Sequence, residues 1–181
     1  LRKVVILLAH PNIKESQANK ALVDAVSDME GVAVFNLYEL SQEIVFNIDE
    51  WSKIISDASA VIYQFPFYWM SAPSLLKKWQ DEVFTFLSKT PAVAGKPLTV
   101  VTTTGSEYEA YRSGGRNRFT TDELLRPYQV SAIHSGMSWQ TPIVVYGMGT
   151  ADAGKNIAEG ANLYKQRVEM LIGNSNAGNN W

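Results

Sequence analysis

The sequence predicts an α/β fold: a three-layer α/β/α sandwich around a five-stranded parallel sheet, in strand order 2-1-3-4-5. Three observations carry this expectation. Short continuous apolar runs rich in β-branched residues read as strands buried on both faces, as in parallel sheets. Helix-period segments follow them, so strands and helices alternate five times along the 181 residues. Right-handed crossovers between five parallel strands then favour that order.

Val4-Val5-Ile6-Leu7-Leu8-Ala9 is the first strand, and His10 to Glu15 the polar loop after it. Leu22, Val26 and Met29 sit at i, i+4, i+7 and mark the first helix, which Gly31 stops. Val32 to Leu37 form a second, more exposed strand. Ser41 to Asn47 is irregular, and Asp49 caps a short helix to about Asp57. Ala60 to Phe65 is the third strand, ended by Pro66. Pro73 suits a first helical turn, and Leu75, Trp79, Val83 and Phe86 mark the buried face of the helix that follows. Leu98 to Thr103 is the fourth strand. Ser106 to Phe119 is long, polar and contains Gly114-Gly115, a length more typical of functional loops. Thr120 and Glu123 have capping-box spacing and open a helix toward Met137, with Pro127 as a kink. Pro142 to Tyr146 is the fifth strand. Ile157, Ala161, Tyr164, Val168 and Leu171 line the last helix. Residues 1–173 read as one domain, and 174–181 as a frayed low-complexity tail.

Composition narrows the function. A hydrophobic fraction of 46% and a charged fraction of 19% suit a substantial core. A net charge of -2 gives no basic field for nucleic acid or an anionic membrane. The absence of cysteine removes disulfides, thiolate metal sites and cysteine nucleophiles. With only His10 and His134, no metal site is expected. No apolar run reaches the roughly 20 residues that span a bilayer, and the first residues lack a signal-peptide layout. The expectation is a cytoplasmic protein. Leu rather than Met at position 1 suggests that a residue or two precedes it.

In a sheet of this order, ligands bind beyond the carboxyl ends of the strands, where the winding reverses. Three loops meet that description. The first, His10-Pro11-Asn12-Ile13-Lys14-Glu15-Ser16-Gln17-Ala18-Asn19, joins a buried strand to a helix N-terminus, a natural phosphate seat. Ser16 can add a hydroxyl or simply cap the helix. Asn19 can contact the ligand or hold the loop. His10 can donate to a phosphate or be structural. The segment is neither a Walker loop nor G-x-G-x-x-G. The second, Phe65-Pro66-Phe67-Tyr68-Trp69-Met70-Ser71-Ala72-Pro73, places four aromatics and a methionine at a strand end that should be wet. Such a cluster suits a planar, mostly apolar ring, a dimer contact or local core. The third, Thr102-Thr103-Thr104-Gly105-Ser106 and on to Tyr111, lets backbone approach a ring closely and offers N–H groups to negative charge. An ordinary turn is the alternative. Tyr111 can hydrogen-bond a quinone oxygen or be a surface tyrosine.

The motifs A-H-P-x4-S-x2-N (Ala9–Asn19), P-x2-W-x3-P-x-L-L-K-x-W-x-D-x-V-F (Pro66–Phe84), T-T-G (Thr103–Gly105) and E-L-L-R-P (Glu123–Pro127) resemble the NAD(P)H quinone reductase, or DT-diaphorase-like, branch of the flavodoxin-like family. The likeness spans Leu1 to Leu171 and is greatest to small bacterial members that are ancillary subunits of glutathione-regulated potassium-efflux systems. It implies FMN as cofactor, with FAD in longer animal members, and NADH or NADPH as co-substrate. It places His10, Ser16, Gln17, Ala18 and Asn19 around the phosphate and ribityl chain. Phe67, Tyr68, Trp69 and Met70 would wall the ring. Thr103, Thr104, Gly105 and Ser106 would meet its polar edge. Tyr111 matches a tyrosine that aids hydride transfer, and the usual form is a homodimer with a shared site. The chain departs from the pattern in three places. Asn117 stands near the position of a histidine that partners the tyrosine in animal enzymes. Gly105-Ser106 replaces Gly-Gly. The segment after Phe84 lacks a glycine-aromatic loop that reaches the partner's site in relatives.

The resulting expectation is an FMN-dependent NAD(P)H:quinone oxidoreductase, transferring two electrons as hydride by a ping-pong mechanism. The alternatives are a flavin-binding regulatory subunit of a membrane antiporter, peripheral to the inner face of the membrane, and an azoreductase or nitroreductase. A one-electron flavodoxin fits less well. Those carriers are strongly acidic with T-x-T-G-x-T phosphate loops, against H-P-x4-S and a charge of -2 here.

Overall fold

The computed structural model describes residues 3–40 and 45–176. Strand β1 (Lys3–Leu8) is central, flanked by β2 (Val32–Asn36) and β3 (Ala58–Pro66). Next comes β4 (Pro97–Thr103), whose far edge takes two short strands in tandem, β5 (Ser138–Trp139) and β6 (Ile143–Val145). All pairings are parallel, in order 2-1-3-4 with β5 and β6 sharing the last place. The expected order is observed. The last position holds two strands rather than one because Pro142 lacks the N–H that would continue the ladder.

Period-two alternation sorts the side chains into two layers. Val5, Leu7, Val61, Tyr63, Phe65, Leu98 and Val100 face one core. Over it lie α3 (Ile48–Ser56), α4 (Ser74–Trp79) and α7 (Arg126–His134). Val4, Ile6, Ala60, Ile62, Val101 and Ile143 face the other, under α1 (Gln17–Ser27) and α8 (Ala153–Asn176). Each fully buried aliphatic side chain stabilises by roughly 1.5–3 kcal/mol. Of the expected core faces of the first and last helices, Leu22 and Val26, and Tyr164, Val168 and Leu171, are buried there; Met29 and Ala161 are half-buried against that core, and Ile157 is half-buried outside it. Gly31, at φ 88°, makes the left-handed turn between α1 and β2.

Several expectations need correction. Leu37 does not extend the second strand; it is fully buried at the start of the short helix α2 (Leu37–Leu40). The cap of α3 is Asn47, which accepts from the Glu50 amide at 3.1 Å, not Asp49. Residues 41–44 of the irregular stretch lie outside the described residues. Phe86 is 56% exposed rather than buried. A π-helical turn over Gln80–Phe84 adds a residue to the turn after α4, so Phe84 and Leu87 point inward instead. Leu87 closes α5 (Thr85–Leu87). The helix opening at Thr120 is two helices, α6 (Thr121–Leu124) and α7. Both capping-box bonds form, but Pro127 sits in the first turn of α7, where its missing N–H costs nothing, and kinks no helix. Finally, α8 runs to Asn176, three residues into the stretch expected as a tail.

Tyr164 carries an orphan. Its ring is fully buried and its hydroxyl has no partner. Burial accordingly pushes the phenol's pKa up. An unpaired buried hydroxyl costs about 1–3 kcal/mol. Tyr164→Phe should therefore leave stability unchanged or raise Tm by about 2–4 °C per kcal/mol gained. A drop in Tm would reveal a partner for that hydroxyl.

Candidate functional site

The carboxyl ends of β1, β3 and β4 converge on one rim, because the strands are parallel and in register there: Leu8 pairs with Gln64, and Pro66 with Thr103. The three loops are physically tied. The Asn19 side-chain amide donates to Thr103 Oγ1 at 3.0 Å, joining α1 to β4. Gln64 Nε2 donates to the Asn19 carbonyl at 2.8 Å, joining β3 to both. The Phe67 amide donates to the Thr103 carbonyl at 2.9 Å. His10 lies edge-on to Tyr68, with ring centroids 6.3 Å apart, and Phe67 meets Tyr111 at 6.1 Å. His10, Trp69 and Thr104 thus belong to one rim of one sheet.

In the first loop, Ser16 is the N-cap of α1, accepting from the Asn19 amide at 3.1 Å and keeping its own proton free to donate. The amides of Gln17 and Ala18 meet no acceptor among the described residues, as expected for a helix start. Asn19 is only 1% exposed, so its side chain is a strut between loops rather than an open contact. His10 is buried, and its Nδ1 accepts from the Asn12 amide at 3.1 Å. That bond fixes the tautomer and leaves Nε2–H as a donor. Burial lowers the His10 pKa below its ordinary 6.5. The sign follows directly. The folded state prefers the neutral ring, so this stability is full above pH 6.5 and is lost as pH falls through the lower folded value. Urea midpoints should decline from pH 7.5 to 5.5, and less steeply in His10→Gln. An identical slope in the variant would assign the decline to other groups.

The second loop is strained. Trp69 (φ 50°) and Met70 (φ 63°) both lie in the left-handed region, where non-glycine residues cost about 1–2 kcal/mol each. They form the tip of a reverse turn closed by reciprocal Tyr68–Ser71 backbone bonds of 2.9 and 3.0 Å. Such tips normally carry Asn-Gly. Tyr128 braces the turn from α7. Its hydroxyl accepts from the Ala72 amide at 3.1 Å and bonds Ser71 Oγ at 3.2 Å. Trp69 is 96% exposed, and its amide and that of Met70 have no acceptor among the described residues. Strain held in place by buried scaffolding is typical of ligand clamps.

The third loop divides its labour. Thr103 and Thr104 are buried. Thr103 receives Asn19, and the Thr104 amide donates to the Val145 carbonyl at 2.9 Å. The carbonyls of Thr104, Gly105 and Ser106 accept from Met148, Gly149 and Gly147, so the loop after β6 backs the whole segment. The amides of Gly105 and Ser106 are left without acceptors. Tyr111, in the 3-10 turn Tyr108–Tyr111, is buried beside them. Burial raises its pKa, against hydrogen bonding to Ser106 and the nearby Arg116 charge, so the phenol stays protonated at neutral pH.

The rim therefore offers unsatisfied amides from all three loops, around aromatic walls. The sequence reading missed three supports: Gln64, Tyr128 and the Gly147–Gly149 segment. Gln64 had a signal, as the lone amide in a buried apolar strand. Tyr128 had none beyond its neighbouring motif. A cavity of about 800 Å³ lies away from this rim beside Ser52, Phe86 and Lys96.

Residues 2–168 match the family described as having a flavodoxin-like fold. Over 148 residues the chain is 36% identical to the glutathione-regulated potassium-efflux system ancillary protein KefG of Serratia proteamaculans, across 80% of this chain and 81% of that protein. General stress protein 14 of Treponema denticola, solved in complex with FMN, superposes with a TM-score of 0.85 at 29% identity, over 93% of this chain and 99% of that one. An NADPH-quinone reductase from P. pentosaceus gives 0.79 at 27% identity, over 92% and 97%. The fold, its rim and these likenesses agree: the chain belongs to the flavodoxin-like NAD(P)H oxidoreductase family.

Proposed function

We propose that this protein is an FMN-dependent NAD(P)H:quinone oxidoreductase whose flavin lies on the rim formed by the loops after β1, β3 and β4. One observation carries the reading. The amides of Gln17, Ala18, Trp69, Met70, Gly105 and Ser106, from three separate loops, have no acceptor among the described residues yet share one sheet end. Their chemistry fits the cofactor. Gln17 and Ala18, with Ser16 and His10 Nε2, would hold a phosphate at the positive end of α1. Trp69, Met70, Gly105 and Ser106 would meet the polar edge of the ring. Phe67, Tyr68 and the Trp69 side chain would wall it.

When bound, FMN supplies a two-electron hydride acceptor and donor. The chain does the rest. Tyr111, kept protonated by burial, presents its hydroxyl beside Ser106 to an oxygen of the quinone. Gly105, lacking a side chain, leaves space for a flat substrate over the ring. One slot serves both substrates, so the oxidised dinucleotide leaves before the acceptor enters, which is ping-pong turnover. We also assign a homodimer. Val130 and Ile133 on the outer face of α7 are 54% and 62% exposed, and Tyr128 of the same helix braces the exposed Trp69 turn. A second copy on that face would cover them and share the site.

The test is direct. Purified protein should be yellow and release FMN on denaturation. Anaerobic addition of a nicotinamide nucleotide should bleach it, and a quinone should restore the colour. Ser16→Ala and Trp69→Ala should each weaken flavin retention about tenfold or more, the scale of one charge-assisted hydrogen bond or one well-packed aromatic. Protein that refuses added FMN, or full retention in both variants, would overturn the assignment. The likeness to KefG favours a second role at a membrane antiporter, from the cytosolic side. Among the described residues no helix is long and apolar enough to cross a membrane. Co-purification with an antiporter, against quinone and azo-dye turnover, separates the roles.

A further inference from the structure

The segment 106–119 is built with more care than a connector needs. Its amides return on itself: Asn117 to the Ala110 carbonyl at 2.9 Å, Gly115 to Arg112 at 2.8 Å, and Arg118 to Gly115 at 3.0 Å. Arg118 is left-handed at φ 62°. Asn117 Nδ2 is buried with no partner. This scaffold holds two arginines in defined places. Arg116 donates to Ser106 Oγ at 2.6 Å, next to Tyr111. Arg112 lies over the Tyr108 ring, 5.4 Å from its centroid. The neighbouring acids Glu107, Glu109 and Asp122 form no ion pair with either guanidinium, so both charges stay available.

The tyrosines connect this loop to the rim. Tyr111 touches Tyr146 at 5.9 Å, and Tyr146 meets Tyr108 edge-on at 5.3 Å. The three line a cavity of about 640 Å³ that runs away from the rim between α6 and α8. A planar aromatic body with anionic groups suits such a trench. Neither arginine lines the cavity itself, but each stands against a residue at its wall: Arg116 on Ser106 beside Tyr111, and Arg112 over the Tyr108 ring. A phosphorylated nicotinamide dinucleotide offers matching parts: a nicotinamide for Tyr111, a pyrophosphate for Arg116, and an adenosine 2′-phosphate for Arg112.

Resting on the oxidoreductase reading above, we infer that the 106–119 loop seats the adenosine end of the dinucleotide, with Arg112 meeting a ribose 2′-phosphate and Arg116 the pyrophosphate. The chain then selects NADPH over NADH. Arginine suits the task because its planar fork pairs with phosphate in two parallel hydrogen bonds.

Two readouts on the FMN-loaded protein test this. In calorimetric titration, 2′,5′-ADP should bind about tenfold or more tightly than 5′-AMP, the scale of one charge-assisted phosphate contact. Arg112→Gln should bring the two within about threefold, and Arg112→Lys should keep part of the difference. In steady state, kcat/KM for NADPH should exceed that for NADH by a similar factor, and Arg112→Gln should collapse the ratio. Lys53→Gln, which removes the same charge near the end of α3 far from the rim, should leave both ratios as they were. Equal binding of 2′,5′-ADP and 5′-AMP to the unaltered protein, or an unchanged ratio in Arg112→Gln, would overturn the inference. Bleaching by both nucleotides at equal rates would sink selectivity alone. Bleaching by neither would sink the oxidoreductase reading, and the titration would still decide the phosphate contact.

Discussion

Gly115→Ala is expected to slow nucleotide-driven flavin reduction about a hundredfold or more, while FMN stays bound. An ideal Cβ at position 115 would lie 2.1 Å from the Glu109 carbonyl oxygen and 2.7 Å from that of Ala110. Both are backbone atoms of the turn that carries Tyr111, so no flexible side-chain end can move aside. The turn itself must shift. Tyr111 then leaves its place beside Ser106 and Phe67. Displacements of about 1 Å near a reacting centre are enough for losses of about a hundredfold. Gly115 forms its backbone bonds within its own loop, to Arg112 and Arg118, so the loops after β1 and β3 should keep the cofactor bound. Stopped-flow reduction, flavin content and a thermal melt on one preparation check the claim. Native reduction rates in a well-folded variant would refute it.

Trp79→Ala should be the most damaging single core change, at about 3–5 kcal/mol. Trp79 is 1% exposed and is the largest fully buried side chain. It joins three layers of contact: Trp51 of α3 at 5.4 Å, Tyr63 of β3 at 6.1 Å, and Phe84 in stacked geometry at 6.2 Å. Removing it opens a cavity that three aromatics cannot collapse to fill. A fall in Tm of about 6–20 °C is expected at 2–4 °C per kcal/mol. Phe86→Ser, seven residues on, should change stability by no more than about half a kcal/mol, because that ring faces water. If the two variants melted alike, the register assigned through the π-helical turn would be wrong.

That contrast shows where the sequence could be read and where it could not. Strands such as Val4–Leu8 announce themselves, because burial on both faces demands an unbroken apolar run. The rim followed from topology, and the loops holding His10, Trp69 and Thr104 do meet there. An inserted π residue leaves no mark on apolar spacing, so Phe86 was placed inward by a period that the chain abandons at Gln80. Asn47 and Asp49 are equally good caps, and only backbone geometry separates them. Pro127 reads the same inside a kinked helix as at the start of a new one. The Trp69–Met70 turn has no glycine to betray its left-handed backbone. Asn19 carried two meanings in the sequence; its amide nitrogen bonds Thr103 and ties two loops together, while its side-chain oxygen has no partner among the described residues.

The break between Ser138–Trp139 and Ile143–Val145 bears on how the molecule behaves at high concentration. An outermost strand with unpaired N–H and C=O groups is a template on which another chain can assemble. Continuous from Ser138 to Val145, it would be an open ribbon long enough to seed aggregates. Divided into pieces of two and three residues, with a proline between them, it gives an incoming strand too few consecutive bonds to hold. Sheet extension at this edge is therefore disfavoured in crowded solutions, which leaves the helix faces and the opposite edge, β2, as the routes for self-association.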